Sequence, residues 1–265
     1  MSLIAEINEN IHIINEYTQS EVYNWAKKND GEYNDSIEYL KQHNPSLLET
    51  IFKNLPLKPT RENVKKCYEK DLYLGLVATL LWGGFNRDGN TMRYFKKICT
   101  LPDFVPANSK DNSVERICNR LNTIKKMFGK NTLGEIIGEA SCGKIAKGIG
   151  YSYASKILYF LGYDLTNPKP IIYDSWMWYA HCALLIETDP QKAKKFYCYL
   201  KSEKTKKYKL YWTKETIPSE CYENFCKLIN SFEKIDEPDK LESWLFNDVI
   251  RKEYCQIVKT FFLES

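Results

Sequence analysis

Apolar residues recur at every third or fourth position along most of this chain, and this spacing is the strongest constraint on how it can fold. The first such run comprises Leu3, Ile4, Ile7, Ile11 and Ile14. Side chains with this spacing share one face of an α-helix, which can then pack against its neighbours. We find no convincing strand pattern of alternating apolar and polar residues, no internal repeat and no low-complexity region. The sequence therefore predicts an all-α protein.

Capping residues mark where the predicted helices begin. Thr60 is predicted to cap one long helix that runs through Leu81, because a Thr side chain can accept a hydrogen bond from the first turn. Thr132 and Glu135 have the spacing of a capping box at the start of another helix. The last helix is predicted to span residues 240–262.

The charge of the chain sets a weak limit on its partners. The formal net charge is +4, with 43% hydrophobic and 27% charged residues, as in an ordinary globular protein. This charge is too small to establish a polyanionic partner, although it permits a local basic face. The densest basic run, Lys201–Lys209, is interpreted as a solvated loop, with contact to a nucleic-acid backbone as the alternative.

The cysteines argue against disulfides and metal sites. The nine cysteines never form a C-x-x-C pair, and an odd, scattered set fits a reducing cytoplasm. Cys221 and Cys226 are closest together but have no nearby His or Cys to complete a zinc or iron–sulfur set. The first residues lack a signal-peptide pattern, and the longest apolar run, Leu76–Trp82, is too short to span a bilayer. We expect a cytoplasmic protein with no membrane association and no metal.

The short sequence Gly148-Ile149-Gly150 lies between two helix-like segments. A tight turn that opens a helix exposes backbone N–H groups at the positive end of the helix dipole, which suits a phosphate. Ile149 is expected to fold inward, while the N–H groups of Gly150, Tyr151 and Ser152 face outward. An ordinary helix–helix turn is the alternative, because a lone G-x-G is a weak signal.

A carboxylate follows about one helix later, at Asp174. Asp174 and Ser175 stand where the next helix is predicted to begin, and capping is the commonest role of such an aspartate. Capping is compatible with catalysis, because it keeps the carboxylate ionised and fixed in direction. The neighbouring Tyr173 and Trp176 are candidates to line a base pocket or to pack in the core.

In this order and spacing, the motifs resemble the helix-hairpin-helix DNA glycosylases, which include the endonuclease III-like and 8-oxoguanine DNA glycosylases. The family pattern is a Leu/Pro-Gly-Val-Gly-x-Lys-x-Ala hairpin followed by a Val-Asp-(Thr/Ser) segment. Here the two hairpin glycines match Gly148 and Gly150, the alanine matches Ala154, and the aspartate matches Asp174. The resemblance covers residues 140–186 well.

The resemblance implies two helical lobes with a cleft between them. One lobe would combine residues 1–85 and 173–265, and the other, residues 86–172, would carry the hairpin. The partner would be double-stranded DNA that contains a modified base, with the target nucleotide swung out of the stack. Asp174 would stabilise the cationic sugar or activate water. A monomer without a cofactor is expected, and a monovalent cation at the hairpin stays open.

The sequence departs from the family pattern at two points. Ser152 occupies the position where bifunctional members carry a Schiff-base lysine, which favours hydrolysis alone over strand cutting. Lys156, four residues on and on the same helical face, or Lys147 before the turn could substitute for it. The four-cysteine cluster of endonuclease III-like members is absent, so the nearest branch is that of the 8-oxoguanine DNA glycosylases.

The segment after the predicted long helix, Leu81–Arg87, resembles a loop of that branch that approaches DNA. Trp82 or Phe85 would stack on a base, and Arg87 would meet a phosphate. Core packing is the alternative for Trp82.

Two other classes of function stay open. The first is a helix-hairpin-helix module that binds DNA structure without catalysis, and the second is a helical protein–protein adaptor. If the protein is a glycosylase, its sequence does not identify the base that it excises. Both DNA repair and antiphage defence are compatible with it.

Overall fold

The computed structural model describes residues 2–17, 38–54, 60–83, 89–101, 113–202 and 207–264. In these ranges the fold is helical apart from one two-stranded sheet, so the predicted all-α class is confirmed. The helices are α1 (Leu3–Glu9), α2 (Ile11–Glu16), α3 (Pro45–Asn54), α4 (Arg61–Lys70), α5 (Leu72–Trp82), α6 (Gly89–Cys99), α7 (Val114–Met127), α8 (Leu133–Ala140), α9 (Tyr151–Gly162), α10 (Ser175–Thr188), α11 (Pro190–Phe196), α12 (Pro218–Asn230), α13 (Pro238–Leu245) and α14 (Asp248–Leu263). Residues 38–43 are also helical. Over the same ranges, no helix combines the length and the apolar character that crossing a membrane would need.

The chain divides into two compact units. Residues 1–18 and 171–265 form the first, which we call the terminal unit, and residues 19–170 form the second, the central unit. The predicted lobes place residues 1–85 together with the C-terminal third, whereas the structure groups residues 19–85 with the central unit. The difference arises because α4 and α5 pack against α9, which follows the glycine turn.

The core of the central unit is built on α5 and α9. Helix α5 is buried at every position from Tyr73 to Leu81, so it has no polar face. A helix that is apolar all round must be covered on all sides, and α4, α7 and α9 supply this cover. Helix α9 is itself buried from Ala154 to Gly162.

The predicted long helix from Thr60 through Leu81 is wrong in one respect, because it breaks at Asp71. Thr60 does cap the first part, as predicted. Asp71 then adopts an extended conformation with φ −160° and ψ 134°, and its side chain accepts a hydrogen bond from the N–H of Leu74 at 2.8 Å. One residue thus ends α4 and caps α5. The predicted helix over 240–262 breaks in the same way, with Asn247 capping α14.

The terminal unit is built around α10. This helix packs against α1, α11 and α14, and it buries Met177 and every residue from Ala180 to Leu185. Helix α1 is held by the Glu187 carboxylate, which accepts hydrogen bonds from the hydroxyl of Ser2 and from the backbone N–H groups of Leu3 and Ile4. Helices α1 and α10, which are far apart in the sequence, therefore pack in one core.

A β-hairpin in the terminal unit corrects the prediction that the chain has no strand. Strand β1 (Tyr197–Lys201) pairs antiparallel with β2 (Tyr208–Trp212), with Tyr197 opposite Trp212 and Lys201 opposite Tyr208. Both faces of this hairpin carry apolar or aromatic side chains, so the alternation that marks a half-buried strand is blurred. The predicted lysine-rich loop begins and ends inside these strands, and residues 203–206 lie outside the described ranges.

Candidate functional site

The glycine turn closes on itself before α9 begins. The N–H of Gly143 donates to the carbonyl of Ile149 at 3.0 Å, and the N–H of Ile149 donates to the carbonyl of Ala146 at 3.1 Å. The side chain of Ile149 is buried, while Gly148 and Gly150 are exposed on either side of it. The expected inward direction of Ile149 is therefore present, and it anchors the turn.

The two exposed glycines differ in how closely other atoms approach them. Gly148 has φ +96°, and a Cβ there would clash with the ring of Tyr94 in α6. Gly150 has φ −92°, and a Cβ there would meet nothing within 4 Å. Internal packing thus requires glycine at position 148 but not at position 150, where the space outside the backbone is open.

The N-terminus of α9 has the features of an anion-binding site. Gly150 is its N-cap and supplies no capping side chain, and no acidic residue stands in the first turn. The N–H groups of a first helical turn have no acceptor within the helix and lie at the positive end of its dipole. Tyr151 and Ser152 are half-buried in this turn. Such an end can accept the oxygen of a phosphate.

Lys156 lies one turn further along α9, beneath Ser152. Its side chain is only 7% exposed, and its Nζ donates a hydrogen bond to Oγ of Ser152 at 3.2 Å. The ammonium also lies 5.2 Å from the ring centroid of Tyr153. The amine expected on this helical face therefore reaches the Ser152 side chain, whereas Lys147 is exposed before the turn.

Trp82 lies at the end of α5, where it packs inside the central unit. Its ring meets Phe160 edge-on, with centroids 5.1 Å apart, and the guanidinium of Arg61 lies 5.7 Å from its centroid. Trp82 is half-buried, so the structure shows packing, and its stacking on a base stays a prediction. The predicted contacts of Phe85 and Arg87 lie outside the described residues.

Asp174 is the N-cap of α10 in the terminal unit. Its Oδ1 accepts hydrogen bonds from the N–H of Trp176 at 2.9 Å and from that of Met177 at 3.3 Å. These two bonds fix the direction of a half-buried carboxylate at the N-terminus of the helix. The structure thus confirms the predicted cap and supplies an oriented anionic group.

Helix α14 brings further side chains to Asp174 that sequence reasoning missed. The guanidinium carbon of Arg251 lies 4.4 Å from the ring centroid of Trp176, which is 37% exposed, and Arg251 also pairs with Asp248. Burial raises the pKa of Tyr254 well above its usual range, and the thiol of Cys255 and the Asp174 carboxylate add to this rise. No local signal could have shown these neighbours, because they lie far downstream in the chain.

Tyr173 lies in the core of the terminal unit rather than at a surface. Its hydroxyl bonds to Nδ1 of His181 at 2.9 Å and to the hydroxyl of Tyr197, while Nε2 of His181 bonds to Oδ1 of Asn224 at 2.9 Å. Burial lowers the pKa of His181 to about 3, so the imidazole is neutral. The fully buried ring of Tyr173 offers no face to a base, so its predicted contact with one has no structural support.

A search for metal ligands yields no candidate centre in the ranges given above. Within them, no three His, Cys, Asp or Glu side chains come together as a ligand set. The monovalent cation considered at the turn stays a prediction.

Comparison with known proteins assigns the chain to a family. Residues 43–246 match the model of the family described as "Putative 8-oxoguanine DNA glycosylase OGG-like protein". Because this match covers well over half of the chain and includes both the glycine turn and Asp174, the chain belongs to this family. No curated protein and no solved structure matches the chain. The family points to a DNA glycosylase, which implies DNA as the partner, and the predicted relation to the 8-oxoguanine branch is confirmed.

Proposed function

We propose that this protein is a monofunctional DNA glycosylase that extrudes a modified base from duplex DNA and hydrolyses its N-glycosidic bond. Membership of the OGG-like family supports base excision in general. The observation that carries the finer proposal is Asp174, whose carboxylate is fixed by two backbone N–H groups at the start of α10.

Asp174 would act on the sugar of the extruded nucleotide. As the bond between C1′ and the base nitrogen breaks, its electron pair leaves with the base and the sugar becomes cationic. A fixed carboxylate stabilises that charge, and it can take a proton from the water whose oxygen bonds to C1′. That proton passes to the departing base, so the products are the neutral free base and an abasic site, and the carboxylate is regenerated. A preorganised carboxylate of this kind contributes on the order of 10²–10⁴ in rate.

The glycine turn would hold the DNA backbone. We take it, with α9, to be the helix-hairpin-helix element of the protein. The open space outside Gly150 lets a phosphate approach the first turn of α9 closely, and the uncapped helix end supplies N–H donors. Gly148 keeps the turn packed against Tyr94. In this proposal the turn supplies binding, and the chemistry is left to Asp174.

The pair of Ser152 and Lys156 supports hydrolysis without strand cutting. A lyase step needs an unprotonated amine that reaches C1′ and forms an imine with loss of water. Ser152 has no amine, and Lys156 is only 7% exposed with its Nζ bonded to the Ser152 hydroxyl, so its amine is not presented to a bound sugar. We therefore propose that the abasic site leaves the enzyme with its strand intact.

The test is a panel of duplexes, each with one oxidised, alkylated, deaminated or hypermodified base. Free base and strand breaks are measured separately after incubation with the protein. Release of one base without strand breaks is expected, and its identity separates a repair substrate from the hypermodified bases of phage DNA. Tight, salt-dependent binding with no base released from any duplex would instead identify a non-catalytic DNA-binding protein.

A further inference from the structure

Four aromatic rings form a contact series that leads from the start of α10 to the β-hairpin. The centroids of Trp176 and Tyr179 are 6.2 Å apart, those of Tyr179 and Tyr199 are 6.4 Å apart, and those of Tyr199 and Tyr208 are 5.7 Å apart. The last pair is stacked, with 21° between the ring planes. We call these four residues the aromatic series.

The β-hairpin determines the positions of Tyr199 and Tyr208, the two members of the aromatic series that are furthest from Asp174. Side chains alternate between the two faces of a strand, so the pairing of Lys201 with Tyr208 places both on the same face as Tyr199. Burial decreases along β1 from Tyr197 to Lys201. The hydroxyl of Tyr179 accepts a hydrogen bond from the N–H of Leu210 at 2.9 Å, which ties α10 to β2.

Internal packing accounts for the two middle rings of the aromatic series, but not for the exposed rings at its two ends. Tyr179 and Tyr199 are half-buried between α10 and the hairpin. Trp176 and Tyr208, by contrast, keep 37% and 46% of their surface exposed. Exposed aromatic rings on a fixed framework are suited to stack on flat partners.

Positive charge accompanies both ends of the series. The guanidinium of Arg251 lies over Trp176 at 4.4 Å. At the other end, the exposed Lys201 stands opposite Tyr208 on the same face of the hairpin. Neither strand contains an acidic residue, so Lys201 has no acidic neighbour on the strands of the hairpin.

We infer that the aromatic series and its flanking cations bind an unpaired segment of DNA. Lysine and arginine contact phosphates, while aromatic rings stack on bases. A duplex keeps its base faces inside the stack, so it would use the cations but not the rings; an unpaired strand uses both. The series begins two residues after Asp174, and the inference therefore rests on the proposed function in taking the partner to be DNA. It would hold bases that unstack beside the extruded nucleotide.

The experiment measures binding of a fluorescein-labelled, unmodified 20-nucleotide single strand, and of the matching duplex, by anisotropy at two salt concentrations. Full-length protein is compared with its Tyr208→Ala and Tyr208→Phe variants. Replacing Tyr208 by alanine should weaken single-strand binding by about fivefold or more, while phenylalanine retains the ring and the affinity. Duplex binding should change by less than about twofold in both variants.

Tyr211→Ala is the matched control. Tyr211 is 39% exposed but stands on the opposite face of β2, beside Lys209 rather than Tyr208. Its replacement should leave single-strand affinity within about twofold of the wild type. The inference would be overturned by equal effects of the two alanine variants or by the absence of an effect in Tyr208→Ala. Binding that does not depend on the salt concentration would also overturn it and would favour a protein partner. Since the probe carries no modified base, failure here leaves base release untouched, and failure of base release leaves this result standing.

Discussion

Lys156 donates a hydrogen bond from its Nζ to the Oγ of Ser152, one turn earlier on the same helix and 3.2 Å away. A nearly buried lysine is thus held against the hydroxyl of Ser152 in the first turn of α9. Under the proposed function, a hydroxyl at position 152 and an amine at position 156 would separate binding of the DNA backbone from covalent chemistry.

Replacing Ser152 by lysine should create a covalent intermediate that the wild type lacks. The new amine would lie beside the Lys156 ammonium, and a neighbouring positive charge lowers the pKa of an amine and frees its nucleophilic form. Borohydride reduction during the reaction, followed by a denaturing gel, should show a protein–DNA adduct for Ser152→Lys alone. Ser152→Arg, which adds charge without a nucleophile, is the control. An adduct with the wild type that Lys156→Ala abolishes would instead make Lys156 the nucleophile.

Replacing Asp174 by asparagine should remove catalysis without unfolding the protein. Asparagine caps a helix about as well as aspartate, so the melting temperature should change little, but it cannot stabilise a cationic sugar. Single-turnover base release should fall on the order of 10²–10⁴-fold. Asp189→Asn is the control, because Asp189 caps α11 by accepting a hydrogen bond from the N–H of Lys192 at 3.0 Å. The assignment fails if both variants release base at the wild-type rate.

Substitution of the two glycines of the turn should have different effects, on the stability of the protein at position 148 and on its affinity for DNA at position 150. In Gly148→Ala the added methyl group meets the Tyr94 ring at a strained φ, and the free energy of unfolding should fall by about 1–3 kcal/mol. Gly150→Ser meets no atom and adds a capping hydroxyl, so its stability should be unchanged or slightly higher. Its side chain nonetheless fills the space open to a phosphate, and duplex affinity should fall. Urea unfolding and filter binding measure the two effects, and wild-type affinity in Gly150→Ser would contradict the role given to the turn.

The buried His181 should make the terminal unit sensitive to acid. Its pKa in the folded protein is lowered to about 3, against 6.5 in the unfolded chain. Between these values only the unfolded chain binds the proton, so stability is complete above pH 6.5 and is lost as the pH falls toward 3. The slope should be about 1.4 kcal/mol per pH unit for this group.

Urea unfolding between pH 4 and pH 7 measures that slope. His181→Gln should be less stable at pH 7 but should lack this contribution to the slope. Tyr173→Phe removes a hydroxyl from the same network without removing the titrating group, so its slope should match the wild type. An unchanged slope in His181→Gln would assign the acid sensitivity to other groups.

Local signals made the helix starts predictable from sequence. The caps at Thr60, Thr132 and Asp174 depend on hydrogen bonds within one turn, and all three are present. The break at Asp71 was not predicted, because the apolar spacing continues through it. There, a side chain that caps the following turn outweighs the continuity of the pattern.

Long-range proximity could not be predicted in the same way. Tyr254 comes near Asp174, and Arg251 lies over Trp176, only because α14 packs against α10. The network of Tyr173 with His181 likewise depends on Tyr197 and Asn224 from later elements. The position of Tyr173 beside Asp174 predicts a base-pocket role, but its ring is buried by residues distant in sequence, which local patterns do not reveal.

The attachment of α1 to Glu187 has a consequence for how the chain matures on the ribosome. Ser2 and α1 are translated before the central unit, whereas their acceptor Glu187 in α10 is translated after it. Domains generally fold as units during synthesis, so the central unit, with its glycine turn, can be finished while α1 still waits. We expect the turn proposed to bind phosphate to form in the nascent protein before the aspartate proposed as catalytic is fixed at the start of α10.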